Sequence, residues 1–339
     1  MNGGDPAKNQ TRIVAGIDEA GLGSMLGPLT MGFSVMRLPL GDVNVWDALG
    51  GIVSEKPTDG STHIIVADSK KVYARNPRGR QRLETTALTF LGQRKTSLPK
   101  SGAEILRSAA TSFRPRAADI KRHIWYGSLP KKLPIWVDSG RLELRSEALR
   151  RELLRTGIEL VDCGARVIPA GQLNRSFDST RNKGTTVWLM LRQILQHIWL
   201  EYGQEGVHLI IDRQGGRYHY GHQLQGAFPG AQMLVGLESP KQSEYRLEEN
   251  SGPGTESRTM RVTFAERAED RAFTVALGSC MAKFAREIAM EAFNSHFQAI
   301  QPDLKPTAGY TTDGRRWIKD AAKTLESQEI DRQLLIRKR

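Results

Sequence analysis

The amino-acid sequence predicts an α/β fold, a sheet with helices packed against it, and three observations lead there. Short, β-branched, glycine-bounded runs recur at residues 13–17, 29–36, 158–168 and 207–211, the pattern of buried strands. Between and after them lie stretches of helical spacing, strongest at residues 185–199 and 274–293. Two of the runs end in carboxylates, Asp18 with Glu19 and Asp212, at the strand ends where α/β sheets place their sites.

The first element is residues 12–35, RIVAGIDEAGLGSMLGPLTMGFSV. A buried strand delivers Asp18 and Glu19, and a turn containing Gly21, Gly23, Gly27 and Pro28 leads into the next strand. Adjacent carboxylates that lose solvation repel one another, so the pair is costly unless a cation or a shared proton offsets it. A divalent metal is the usual offset. Residues 63–67 form a short apolar run ending in Asp68-Ser69-Lys70-Lys71, a strand-to-helix junction whose amides and lysines make a phosphate seat. Leu83, Ala87, Leu88 and Leu91 mark a helix, followed by basic loops with Pro99, Pro115 and Pro130. Residues 139–155 are helical, with Leu142, Leu149, Leu153 and Leu154 at helical spacing, an acidic start and a basic finish. Residues 169–183 read as a polar loop, and 233–264, with SGPG at the centre, as a long hairpin or flexible loop. In the helix at 274–293 Cys280, Phe284 and Ile288 form one stripe. Lys283 and Glu287 share an adjacent face at i and i+4, the spacing of a weak surface ion pair unless that face meets the sheet end. Gly309-Tyr310-Thr311-Thr312-Asp313 is a turn opening a last basic helix. The cluster Tyr218, His219, Tyr220, His222 has no second ligand group and reads as structural.

Composition narrows the class. The chain has 339 residues, 39% apolar and 25% charged, enough for a sizeable core, and no apolar run approaches the roughly 18 residues of a membrane span. The expected setting is a soluble cytoplasmic protein with no membrane partner. Cys163 and Cys280 stand alone, without CxxC or paired-His spacing, which excludes a zinc module and makes a disulfide framework unexpected. The formal net charge is +12, yet residues 70–155 alone carry 21 Lys and Arg against 7 Asp and Glu, a surplus of 14. A basic segment beside a carboxylate site points to a polyanionic partner, because phosphates are held by Lys and Arg while the acids do something else.

Four stretches, in order, resemble the type 2 ribonucleases H. GIDEAGLGSMLGP is similar to that family's GxDEAGRGxxxGP, ADSKK to its DSKK, LIIDRQ to its third-acid strand and SCMAKFARE to its helix Ser-x-x-Ala-Lys-x-x-Arg-Asp. AGYTTD is similar to the Gly-Tyr-Pro-Ser-Asp turn of archaeal and eukaryotic members, and Asn182 stands where the family often has Asn. The sequence departs from the pattern in three places. Glu287 replaces the usual Asp, as in the related type 3 enzymes; Leu22 replaces the arginine of Gly-Arg-Gly; and the basic segment after DSKK is longer than the family needs.

The resemblance implies an RNase H-like fold, a central mixed sheet flanked by helices, with a basic insertion and a C-terminal helical region. It implies hydrolysis of the RNA strand of RNA–DNA hybrids to 5′-phosphate ends, and incision at ribonucleotides embedded in DNA. The carried-over catalytic and metal residues are Asp18, Glu19, Asp212 and Glu287, holding two Mg²⁺ or Mn²⁺ ions. Gly21, Leu22, Gly23, Ser69, Lys70, Asn182 and Tyr310 would contact the nucleic acid, the glycine turn reading the 2′-hydroxyl and Tyr310 packing on the deoxyribose. The expected layout is a disordered tail at 1–11, a catalytic domain at 12–300 with insertions near 75–133 and 236–262, and a substrate-reading turn and helix at 301–339. A monomer is favoured. Two other readings share the acids: a nucleic-acid-binding relative that has lost catalysis, and an RNase H-fold endonuclease acting on DNA.

Overall fold

The structure, a computed structural model, describes residues 11–57, 62–95, 97–110, 112–249 and 257–338. The strands are β1 (Thr11–Ala20), β2 (Leu29–Pro39), β3 (Val53–Ser54), β4 (Ile64–Ile65), β5 (Glu159–Ile168), β6 (Val207–Asp212), β7 (Gln232–Glu238), β8 (Gln242–Glu249) and β9 (Arg258–Ala265). The helices of the first half are α1 (Val45–Ala48), α2 (Ser69–Val72), α3 (Pro77–Lys95), α4 (Gly102–Leu106), α5 (Ala117–Arg122) and α6 (Ser139–Thr156). Those of the second half are α7 (Ala170–Thr180), α8 (Lys183–Tyr202), α9 (Gly221–Ala227), α10 (Phe273–Ile300), α11 (Thr311–Asp320), α12 (Ala322–Ser327) and α13 (Arg332–Leu335). Among the described residues no helix is long and apolar enough to cross a membrane.

Seven strands form one mixed sheet in the order β5-β2-β1-β6-β9-β8-β7, and β3 pairs separately with β4. β1 runs antiparallel to β2 but parallel to β6, and β6 runs parallel to β9. Three central strands therefore end at the same edge of the sheet. Helices cover both faces, as expected. On one face Ile13, Ile17, Phe33 and Val35 pack with Val187, Leu191, Ile194 and Ile198 of α8. On the other, α3, α6 and α10 join Cys163 and Val167 of β5 in a second core.

α10 lies closer to the sheet than side chains would allow. A Cβ on Gly32 would sit 1.9 Å from the Gly278 carbonyl oxygen, and one on Gly16 would sit 2.3 Å from the Thr274 and Val275 backbone. Only glycine fits this seam of backbone on backbone. Thr30 and Ser34 close it by donating to the Ala282 and Thr274 carbonyls, both at 2.8 Å.

Several elements differ from the sequence reading. Residues 170–180, read as a polar loop, form α7, because Leu173 and its buried neighbours dock against the core while the polar residues face out. The stretch read as one hairpin supplies three strands, with β8 pairing antiparallel to both β7 and β9. Its SGPG centre lies outside the described residues, as does the N-terminal tail except Thr11, which begins β1. The basic stretch near 75–133 shares the main core through Leu83, Leu88, Phe90, Ile105, Trp125 and Tyr126. Part of its charge is used internally: Arg94 donates to the Cys163 carbonyl and pairs with Asp162 at 2.7 Å. Arg75, Arg78, Arg107, Arg114, Arg116, Lys121, Arg122, Lys131 and Lys132 are exposed.

Candidate active site

The parallel ends of β1, β6 and β9 gather acids at one edge. Asp18 is buried near the end of β1 on the α10 side, where Ser279 donates to it. Glu19 follows on the opposite side of the strand and is half-buried. Asp212 ends β6, one position beyond the Ile17–Ile211 pair, and its Oδ1 accepts the Ala268 amide at 3.1 Å. That amide opens a 3₁₀ turn, Ala268–Asp270, directly after β9, and the turn carries Glu269.

These four carboxyls act on one another. Burial, then Glu19 and Asp212, push Asp18 well above the usual carboxylate range. Burial and the field of Asp212 push Glu19 up to about 7, partly countered by Lys70. Glu269 is also pushed up to about 7, by burial and then Asp212 and Asp68, and burial raises Asp212. Glu269 Oε2 is buried with no donor facing it. The neighbouring Asp212 can bond to it only if one of the two keeps a proton.

Lys70 answers this cluster. Asp68, two residues before it, does most to favour its charged form, and Asp18, Glu269 and Asp212 add to it. Its exposed ammonium stands 3.9 Å from Asp68, open to a phosphate. The backbone places it there: Asp68 caps α2 by accepting the Lys70 amide at 3.0 Å, and Ser69 donates its amide to Ser279 at 3.3 Å. Lys71 ties the helix to the turn after β9 through Asp270 at 2.6 Å.

Glu287, the fourth acid expected from the sequence, stands apart from this cluster. It lies eight residues beyond Ser279, about 12 Å further along α10. Its Oε1 pairs with Lys283 and its Oε2 accepts the Tyr73 hydroxyl, both at 2.6 Å. Burial raises Glu287, but Lys283, Tyr73 and Arg286 outweigh it and hold the carboxyl below its ordinary value. The ion pair suggested by the i, i+4 spacing is what forms. Glu269 was missed because a residue in a 3₁₀ turn shows no periodicity; the available signal was an acid just past the end of a strand run.

The glycine turn, residues 21–28, packs beside the tyrosine turn. Gly21 has φ +83°, and a Cβ there would strike the Arg286 guanidinium at 2.7 Å. The Gly309 carbonyl accepts the Met25 and Leu26 amides at 2.8 and 3.0 Å, which joins the two turns. Asp313 holds the second turn by accepting Thr307 Oγ1 and the Ala308 amide, each at 2.8 Å. Tyr310 is 44% exposed with Arg286 5.8 Å from its ring. Leu22 packs partly against the α8 core and Gly23 is exposed. Asn182 is exposed and caps α8, its Oδ1 accepting the Thr185 amide at 2.9 Å. Tyr220 stacks on Phe264 at 3.6 Å, a structural role.

Among the described residues no three His, Cys, Asp or Glu side chains form a ready-made metal cage. The donor set still fits a divalent cation. Four mutually repelling carboxyls that resist ionisation, one oxygen lacking a donor, are what hard oxygen-ligated ions neutralise.

No family model and no curated protein sequence matches the chain. Solved structures similar to it include the Archaeoglobus fulgidus RNase HII of a PCNA complex, at 14% identity and TM-score 0.41, covering 96% of this chain and 94% of that one. Bst-RNase HIII in complex with Mn²⁺ aligns at 13% identity and TM-score 0.40, over 96% of this chain and 66% of that one. The ribonuclease H2 of Pyrococcus horikoshii aligns at 13% identity and TM-score 0.36, over 95% and 92%. Likeness at this level leaves the assignment of function to the residues themselves.

Proposed function

We propose that this chain is a type 2 ribonuclease H, a divalent-metal-dependent endonuclease that hydrolyses the RNA strand of RNA–DNA hybrids and also incises at ribonucleotides embedded in DNA. The observation that carries the reading is the meeting of Asp18, Glu19, Asp212 and Glu269 at three parallel strand ends, beside Lys70.

Those four carboxylates would hold Mg²⁺ or Mn²⁺. When bound, such ions activate the attacking water and neutralise charge on the leaving oxygen. The remaining work belongs to the protein. Lys70 holds a substrate phosphate near the acids, and Ser69 fixes its helix. The amides of Gly21, Leu22 and Gly23 read the 2′-hydroxyl that distinguishes RNA from DNA. Tyr310 offers an exposed ring to the sugar beyond the cleavage point, and Asn182 contacts the backbone at the start of α8. The exposed arginines and lysines of the basic stretch grip phosphates further out.

A gel assay on an all-RNA hybrid strand, a duplex with one ribonucleotide and plain DNA, with Mg²⁺, Mn²⁺ or EDTA, tests this. The hybrid is expected to be cut best and the single ribonucleotide more slowly, since Leu22 brings no charge to the turn. Efficient cutting of plain DNA would instead favour a DNA endonuclease, and binding without cutting a relative that has lost catalysis.

A further inference from the structure

Two arginines remote in sequence satisfy the carbonyls of the glycine turn. Arg286, fully buried in α10, donates to the Pro28 and Leu26 carbonyls, to Ser24 Oγ and to the Ala308 carbonyl. The second is Arg337, in a strap of residues 331–338. Ile336 forms a bridge with Leu26, and the Arg337 amide donates to the Met25 carbonyl at 2.9 Å. The Arg337 guanidinium, 8% exposed, donates to the Gly21 carbonyl and to the Leu22 carbonyl at 3.1 Å. α7 anchors the strap: Asn174 donates to the Gln333 and Ile336 carbonyls at 2.6 and 2.7 Å and accepts the Lys338 amide at 2.8 Å.

A trans peptide unit is planar, with its C=O and N–H pointing opposite ways. Because Arg337 draws the Gly21 and Leu22 carbonyls to itself, the amides of Leu22 and Gly23 face away from it. Gly23 is exposed, and beyond its chain neighbours no heavy atom lies within 4 Å of where its Cβ would stand, so this part of the turn is not covered by the rest of the chain. We propose that Arg337 is a positioning residue for specificity: by clasping two successive carbonyls it presents the Leu22 and Gly23 amides as a fixed donor pair to a ribose hydroxyl. The turn thus gains through backbone orientation what its own uncharged Leu22 does not supply. This rests on the ribonuclease reading for its ligand, but not for the clasp itself.

The experiment compares the full chain with R337A, R337K and K338A, the last removing a neighbouring strap charge that pairs with Asp178 and leaves the turn untouched. Hydrogen exchange of the peptide spanning residues 21–26 and steady-state kinetics on an RNA–DNA hybrid are both measured. R337A is expected to speed exchange there and to lower kcat about ten-fold or more with KM within about two-fold, the mark of a misplaced rather than unbound substrate. R337K should recover only part of the loss, since an ammonium cannot span two carbonyls as a guanidinium does. K338A should match wild type in both readouts. Wild-type exchange in R337A, wild-type kcat in R337K, or an equal loss in K338A would overturn the proposal; if R337A does not fold, R337K decides. If the unmodified protein cuts no ribonucleotide-containing duplex, the ribonuclease reading fails while exchange in the variants still decides whether Arg337 orients the turn.

Discussion

Exchanging Glu269 and Glu287 for glutamine, one at a time, tests which of the two acids belongs to the proposed site. Glu269 titrates near 7 in the folded protein against an ordinary value of 4.5. The sign follows: between those values the folded chain holds a proton that the unfolded chain has released, so stability falls as pH rises through the window and stays reduced above it. A sealed group moved that far would cost about 3 kcal/mol. Glu269 is half-buried, and solvent screening brings the cost to about 1–2 kcal/mol. In metal-free buffer at pH 8, E269Q should therefore unfold about 1–3 °C higher than wild type, with the gain vanishing near pH 4.5. The same variant should lose at least about 100-fold in cleavage and most of the stabilisation by added Mg²⁺. E287Q should do the reverse. It strands the Lys283 ammonium, costing about 1–3 kcal/mol, and leaves cleavage within a few-fold of wild type. Differential scanning calorimetry at the two pH values, with a hybrid-cleavage assay, reads both. An inactive E287Q beside an active E269Q would refute the reasoning.

Other outcomes follow from the same geometry. D18N should abolish cleavage while hybrid binding persists or strengthens, read by gel and by mobility shift; full activity in excess EDTA would contradict the metal-dependent reading. Replacing Arg114, Arg116, Lys121 and Arg122 by glutamine should flatten the log–log salt dependence of hybrid binding by about one unit for each phosphate no longer neutralised, and an unaltered slope would make that surface a solvated face only. Gly32→Ala places a methyl 1.9 Å from a backbone oxygen and should cost about 3 kcal/mol or more in urea denaturation. A Tyr310→Ala variant should lose more on a single-ribonucleotide duplex than on a continuous hybrid, measured as the ratio of kcat/KM values.

Much of this was legible in the sequence because it is local. A β-branched run closing on Asp18 and Glu19, the Asp68 cap before Lys70, and the strand ending in Asp212 each announce themselves within ten residues. The apolar stripe of α10 is equally plain. What escaped depends on distant partners. α7 is polar in composition and is a helix because Leu173 finds the core and Asn174 finds the strap. Glu287 carries the motif's spacing, and its i, i+4 pairing with Lys283 was legible, but only tertiary packing brings Tyr73 to it. Glu269 acquires meaning solely because β9 lies beside β6, a pairing that no local pattern announces.

The glycine seam beneath Asp18 has a thermal consequence. Side chains in a core hop among rotamers, and warming widens the spread of distances they set. Where α10 meets β1 and β2 at Gly16, Gly32 and Gly278, backbone rests on backbone and there are no rotamers to populate. The separation between the strand bearing Asp18 and the helix bearing Ser279 is then governed by covalent geometry and carbonyl contact, which soften little with temperature. Such a site keeps its dimensions until the sheet itself gives way, so activity should rise smoothly with temperature and end abruptly at unfolding.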